Sequence, residues 1–159
     1  KLIDKKVAVI GGGLAGCAFV LAGSKTKNHQ LHLFEKNIPK ELSIASCLQS
    51  RPLSLTYPTV RWLKKLGVWQ DLEDHANPIK TLDISQAGYF GKCRIDATEF
   101  DLPAIAYVVP AALLQQVLWQ HANKLAKVYI NTELAAATSN CAITYFEDQQ
   151  EKHAHNKQN

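Results

Sequence analysis

The 159-residue chain has no apolar run approaching the ~20 residues that span a bilayer, no C-x-x-C or Cys/His cluster, and no internal repeat. These absences exclude a transmembrane helix, a zinc-ribbon site and a solenoid. The four cysteines, Cys17, Cys47, Cys93 and Cys141, stand far apart and read as free thiols of a cytoplasmic protein. Cys17 reads as a small buried apolar residue of the first helix. No signal peptide is expected at the start of the chain, because the first apolar run reads as a four-residue strand followed by glycines. The first residue is Lys1 and not Met, so an initiator or a longer segment is expected to have been removed. Charge of one sign is also lacking: the net charge is +4. Lys5-Lys6 and the Arg61, Lys64, Lys65 cluster read as solvated faces. No nucleic-acid motif accompanies them, and they imply at most a weak, peripheral attraction to anionic headgroups at the inner membrane. Residues 147–159 hold a single apolar side chain, Ala154, and are expected to form a disordered polar tail. His153 and His155 within it lack further ligands, so no metal site is expected.

The stretch Val7-Ala-Val-Ile-Gly-Gly-Gly-Leu-Ala-Gly16 is followed by Leu31-His-Leu-Phe-Glu35-Lys36. It reads as strand, glycine turn, helix and second strand, with an acid where that strand ends. Gly11, Gly13 and Gly16 form G-x-G-x-x-G. The first lets the chain turn out of the strand, the second lets a pyrophosphate approach the backbone, and the third lets the helix pack closely on the sheet. The helix N-terminus offers unpaired N–H groups and a positive dipole end to phosphates. Glu35, nineteen residues after Gly16, stands where a carboxylate accepts hydrogen bonds from a ribose diol. A dinucleotide-binding unit follows.

Beyond it, periodicity predicts a helix over Leu14–Ser24, buried on most faces, and a strand over Gln30–Phe34. An irregular functional loop is expected from Pro39 to Pro52. A helix over Pro58–Leu66 would bury Val60, Leu63 and Leu66 and end at Gly67. A short helix is expected over Trp69–His75. Thr81–Ser85 and Phe90–Ile95 read as a hairpin joined by a turn at 86–89, and Ala106–Val109 as a strand. Pro110 suits a helix start. The helix Ala111–Leu125 would face the core with Leu114, Val117, Leu118, Ala122 and Leu125. Strands are expected at Lys127–Ile130 and Ala142–Phe146.

Three further runs carry a family resemblance: Ser50-Arg-Pro-Leu-Ser-Leu-Thr-Tyr57, Leu63-Lys-Lys-Leu-Gly-Val-Trp69 and His75-Ala-Asn-Pro-Ile79. With Ile84–Gly91 and Ile105–Val109, they resemble the flavin hydroxylases of ubiquinone biosynthesis, of the 2-polyprenyl-6-methoxyphenol hydroxylase type. The resemblance runs from about Val7 to Ile130. It implies an α/β fold: the Rossmann-like FAD-binding fold of the p-hydroxybenzoate-hydroxylase group, with a parallel sheet and an inserted β-hairpin region, incomplete here. Residues 1–146 would be the N-terminal part of that domain. The implied cofactor is FAD, with Gly11, Gly12, Gly13, Leu14, Ala15 and Gly16 at the pyrophosphate and Glu35 and Lys36 at the adenosine ribose. Arg51 would lie along the cofactor, where its planar, always charged fork counters phosphate. Gln115, one turn into its helix, would also touch FAD. The implied reaction is hydroxylation of a prenylated phenol with NAD(P)H and O2, within a ubiquinone-biosynthesis assembly. The flavin does the hard step while the protein positions it and excludes water. No side chain reads as a catalytic acid or base.

Two departures from the family pattern bear on this. The Asp-Gly and Gly-Asp motifs expected beyond Phe146, the second of which grips the flavin end, are absent, and so is most of the substrate-binding sheet. Ala111 and Ala112 stand where the family has Asn, His or Arg facing the cofactor. The chain therefore reads as an N-terminal fragment, a truncated product or a degenerate copy. Two alternatives stay open: an NAD-dependent dehydrogenase using the same fingerprint, for which Glu35 would favour NAD over NADP, and a non-catalytic remnant.

Overall fold

A computed structural model describes residues 5–26, 29–37, 40–85, 88, 91–137, 143–147 and 150–154. In chain order the elements are β1 (Lys5–Ile10), α1 (Leu14–Gly23), β2 (His29–Phe34), α2 (Ile44–Leu48), β3 (Pro52–Thr56) and α3 (Tyr57–Leu66). After two 3-10 turns, Trp69–Asp71 and Glu73–His75, come β4 (Asn77–Ile79), β5 (Thr81–Ser85) and β6 (Lys92–Asp96). A third 3-10 turn, Ala97–Phe100, leads to β7 (Ala106–Pro110), α4 (Ala111–Asn123), β8 (Lys127–Tyr129), β9 (Thr132–Ala137), β10 (Ile143–Glu147) and β11 (Gln150–Ala154). The chain divides into two compact units, residues 1–41 with 118–159 and residues 42–117, and the division falls inside α4.

The first unit holds the parallel sheet β1-β2-β8 and the antiparallel sheet β11-β10-β9. Val7 pairs with Leu31 and Val9 with Leu33. Alternate side chains take opposite faces of a strand. Val9, Leu31 and Leu33 are buried, and so are Cys17, Val20 and Leu21 of α1. A Cβ built on Gly16 would meet Val9, and one on Gly23 would meet Leu31, which places α1 over this face. On the other face Phe34 stacks on Tyr129 at 4.6 Å and meets Tyr145 at 5.2 Å. His32 donates to or accepts from the Tyr129 hydroxyl at 3.1 Å. Burial, then Lys127 and Lys6, lower the pKa of this imidazole.

The second unit holds the antiparallel sheet β3-β7-β4 and the hairpin β5-β6. In α3, Val60 and Leu63 are buried while Lys64 and Lys65 sit in the last turn, where cations suit the carbonyl end. Gly67 closes it at φ 74°, with its own N–H donating to Lys64 O and the Val68 N–H to Leu63 O, a Schellman-type end. Trp69, Leu72, Val109, Leu113 and Leu114 complete much of this core.

Several expectations are corrected. The 39–52 stretch is not wholly irregular: α2 forms within it, capped by the Ser43 hydroxyl, which accepts the Ser46 N–H at 3.2 Å. The Trp69–His75 helix is two separate 3-10 turns. Helix α4 stops at Asn123, and Leu125 beyond it is 48% exposed and not core. Leu66 is half-buried. Helix α1 is not buried on most faces, since Ala15 and Ala22 are exposed and Phe19 is 53% exposed. The tail expected at 147–159 contains β11, which pairs antiparallel with β10. Backbone ladders need no apolar side chains, so composition concealed it. The 86–89 turn falls almost wholly outside the described residues, as do Cys141 and His155.

Candidate functional site

The glycine loop is built by three backbone constraints. Gly11 leaves β1 with φ +93° while its N–H donates to Phe34 O at 2.8 Å, so the turn stays tied to β2. That φ favours glycine strongly over any L side chain. Gly13 is the extended N-cap of α1, at φ −72° and ψ −174°. The Cys17 N–H donates to Gly13 O at 2.9 Å, so the Leu14, Ala15 and Gly16 N–H groups precede the first bond of the helical ladder and are available to an anion. A Cβ on Gly13 would meet nothing within 4 Å, so the backbone here faces open space. Gly16 is needed for a closer reason than sheet packing, because a Cβ there would collide with the Gly11 carbonyl oxygen. Gly12 is buried, and a Cβ on it would strike the Trp119 ring and stand 3.1 Å from Glu35 Oε2. The buried Cys17 thiol donates to Gly12 O at 3.1 Å, which makes it more than the apolar filler expected.

Glu35 lies against this loop. Its Oε2 accepts the Gly12 N–H at 2.5 Å, and its Oε1 accepts the Asn37 N–H at 3.0 Å. Its main chain is held from both directions: its N–H donates to Tyr129 O at 2.8 Å, and its carbonyl accepts the Thr132 N–H at 2.9 Å. Thr132 is 2% exposed, and its hydroxyl donates to Ile130 O at 2.9 Å. A carboxylate has about four lone-pair directions, so Glu35 keeps acceptor capacity after these two bonds. The open Gly13 backbone, the α1 N-terminus and the adjacent carboxylate together fit the pyrophosphate and ribose of a dinucleotide.

The other expected residues are placed differently. The Lys36 ammonium pairs with Glu133 at 2.9 Å on an exposed surface. Arg51 and Gln115 belong to the second unit. The Arg51 side chain is exposed, and its carbonyl accepts the Ala111 N–H at 2.9 Å. The neighbouring Ser50 hydroxyl accepts the Ala112 N–H at 3.0 Å. Ala111 and Ala112 therefore tie the start of α4 to the 50–51 segment through their backbone N–H groups. Gln115 is half-buried. The next residue, Gln116, makes a two-point contact, accepting the Leu42 N–H at 2.9 Å and donating to Leu42 O at 3.2 Å.

Sequence reasoning missed Trp119, Tyr129 and Thr132 around Glu35, and Gln116 in the second unit. The signal for Thr132 was the pair Asn131-Thr132: Asn131 adopts φ 54°, a left-handed turn that Asn tolerates. Among the described residues no group of three His, Cys, Asp or Glu could hold a metal ion, and no helix is long and apolar enough to cross a membrane.

No family model matches the chain. In sequence it is similar to 3-demethoxyubiquinol 3-hydroxylase of Escherichia coli, at 29% identity over 116 residues, covering 72% of this chain and 29% of that enzyme. In structure it is similar to 2-methyl-3-hydroxypyridine-5-carboxylic acid oxygenase, with a TM-score of 0.68 at 18% identity, over 95% of this chain and 38% of the other. It is similar to p-nitrophenol 4-monooxygenase of Pseudomonas putida, with a TM-score of 0.64 at 15% identity over the same shares. It is also similar to the flavin-dependent monooxygenase PieE, solved with FAD and substrate, with a TM-score of 0.66 at 17% identity, over 95% of this chain and 29% of that one. The chain thus spans less than two-fifths of the length of each of these relatives. By sequence it resembles a hydroxylase of ubiquinone biosynthesis, and by fold it is a Rossmann-like α/β chain of the kind found in part of the FAD-dependent monooxygenases.

Proposed function

We propose that this chain is the ADP-gripping, N-terminal part of a flavin monooxygenase that hydroxylates a prenylated phenol in ubiquinone biosynthesis, with NAD(P)H as reductant. The observation that carries the reading is the conjunction in one unit of the open Gly13 backbone, the N–H groups at the start of α1, and the Glu35 carboxylate pinned on Gly12. Bound FAD would supply the redox chemistry that activates O2. The α1 N-terminus would hold the pyrophosphate against its positive dipole end. The Glu35 carboxylate would accept from the ribose diol, and its bond to the Gly12 N–H fixes its orientation before the nucleotide arrives. The similarity to a ubiquinol hydroxylase supports a prenylated phenolic substrate. The recurrence of monooxygenases among the structural relatives favours FAD over a nicotinamide dehydrogenase reading. A place in the cytoplasm, peripheral at the inner membrane and within a biosynthetic assembly, belongs to the same proposal.

The direct test is titration of the purified chain with FAD, ADP and NAD. Saturable binding of FAD and ADP is expected. Binding of NAD with no binding of FAD would instead support the dehydrogenase reading.

Arg51 is proposed to contact cofactor and not substrate. Arg51→Ala is expected to weaken FAD binding by about 1.5–3 kcal/mol, the scale of hydrogen bonds to charged groups. Flavin retained equally tightly, with only substrate affinity lowered, would assign Arg51 to the substrate.

The 159 residues alone are expected not to turn over substrate. Hydroxylation needs the reacting ring held beside the flavin in a water-excluding pocket, and the chain spans only 29% of the hydroxylase it resembles. The assay is NADPH consumption with FAD, O2 and a prenylated phenol. Hydroxylated product above a free-flavin control would contradict this expectation.

A further inference from the structure

Residues 11–13 are glycines in succession. Such a run has great backbone freedom and no side chains with which to brace itself. Binding is tighter when a loop is ordered beforehand, so the bracing has to come from other parts of the chain. It converges on Gly12. The Gly12 N–H donates to Glu35 Oε2 at 2.5 Å, and the Gly12 carbonyl accepts the Cys17 thiol at 3.1 Å. A further support is the indole of Trp119, which belongs to α4 and to the same unit. A Cβ built on Gly12 would collide with Trp119 Cζ3 and Cε3 and stand 3.1 Å from Glu35 Oε2. The indole edge thus occupies the place of a side chain at position 12. The dinucleotide fingerprint leaves that position open to any residue, and Gly12 is not among the glycines at positive φ. Its backbone does not demand glycine; the ring does.

The Glu35 carboxylate depends on this packing. Its main chain is fixed by Tyr129 and Thr132. Its side chain is oriented by two N–H groups, that of Gly12 at a part-buried position and that of Asn37 at an exposed one. A displacement of the Gly12 peptide therefore turns the carboxylate. We infer that Trp119 is a positioning residue for nucleotide selectivity: its ring edge, seated on Gly12, holds the Gly12 N–H against Glu35 and so sets a preference for ligands with an intact ribose diol. Trp119 acts through Gly12 and Glu35 and needs no contact with the ligand. The inference rests on the nucleotide-binding reading and deepens it.

The experiment measures affinities for ADP and 2′,3′-dideoxy-ADP by calorimetry. Wild type should prefer ADP by about tenfold or more, the scale of a hydrogen bond to a charged group, and Glu35→Ala should erase the preference. Trp119→Leu should weaken ADP roughly tenfold and leave dideoxy-ADP within about twofold, so that the preference collapses with that one bond. A merely structural role would weaken both ligands alike. The contact itself is tested without nucleotide: Gly12→Ala should lower the melting temperature of wild type and be tolerated in the Trp119→Leu background. If Trp119→Leu does not fold, Trp119→Phe, which lacks the fused benzene edge, decides in its place. An unaltered diol preference in a folded Trp119 variant, an equal loss for both ligands, or a Gly12→Ala cost independent of the ring would overturn the inference and leave the functional proposal standing. Equal binding of ADP and dideoxy-ADP by wild type would remove Glu35 from the ribose, and binding of neither would remove the nucleotide. Either result would overturn the functional reading and this inference with it.

Discussion

Replacing Gly16 with alanine should destabilise the first unit severely, although alanine is the better helix former. Intrinsic propensity alone would make the change stabilising by about 1 kcal/mol. Sterics oppose it, because the new Cβ would collide with the Gly11 carbonyl oxygen, which is backbone and not the yielding end of a side chain. Gly11 is itself tied to Phe34 O and turned at φ +93°. Relief therefore requires α1 to move off the turn, or β1 to lose its bond to β2. Overpacking of this kind costs about 1–3 kcal/mol and sometimes more, and the immovable neighbour puts this site at the upper end. The measurement is the urea midpoint of the chain without nucleotide, compared with Gly13→Ala. Gly13 has an extended backbone at negative φ and open space where the Cβ would sit, so that control should change little. A Gly16→Ala midpoint equal to wild type would show that the turn and helix can separate freely.

The same loop shows how far the sequence could be read. The G-x-G-x-x-G spacing located the turn, the helix start and the acid at the end of β2, because each depends on local backbone geometry. The close approach of Gly16 to the sheet was legible, since a Cβ there would meet Val9, but the nearer obstacle, the Gly11 carbonyl, was not, since spacing says that something approaches closely but not what does. Trp119 and Thr132 were invisible for a different reason: Trp119 reaches Gly12 and Thr132 reaches Glu35 from more than eighty residues away in sequence. Neither belongs to a periodic pattern that points at Glu35. The strands β3 and β4 were not predicted; they carry Pro52 and Pro78, and proline, which weakens a strand signal, is tolerated at the start or edge of a sheet. Conversely, α3 was legible apart from Leu66, which is half-buried. Its apolar face, first-turn proline, basic last turn and terminal glycine all agree on one answer, and that agreement is what makes a segment readable. Helix α1 was over-read as buried because its composition is apolar all round. Phe19 and Ala22 lie open, and composition cannot distinguish a helix buried on all sides from one whose outer face is exposed.

Gly13→Val should leave the fold intact and abolish most nucleotide binding. The two effects are separable because a Cβ on Gly13 would find nothing within 4 Å. The new Cβ therefore meets no protein atom beyond its chain neighbours, and the expected penalty in the folded state is that of a poorer N-cap, roughly 1 kcal/mol. In the proposed site, the same open space is where a pyrophosphate would come to reach the N–H groups at the start of α1. Holding the phosphates away from those donors removes charge-assisted bonds worth about 1.5–3 kcal/mol each, so FAD affinity should fall roughly 100-fold or more. Parallel titrations with FAD, ADP and riboflavin identify the place of the block. FAD and ADP should weaken together, since both carry the pyrophosphate, while any binding of riboflavin, which lacks it, should be unaffected. The melting temperature of the variant without ligand should stay within a few degrees of wild type. Undiminished ADP binding by a folded Gly13→Val chain would remove the pyrophosphate from this loop, and with it the assignment of Glu35 to the ribose.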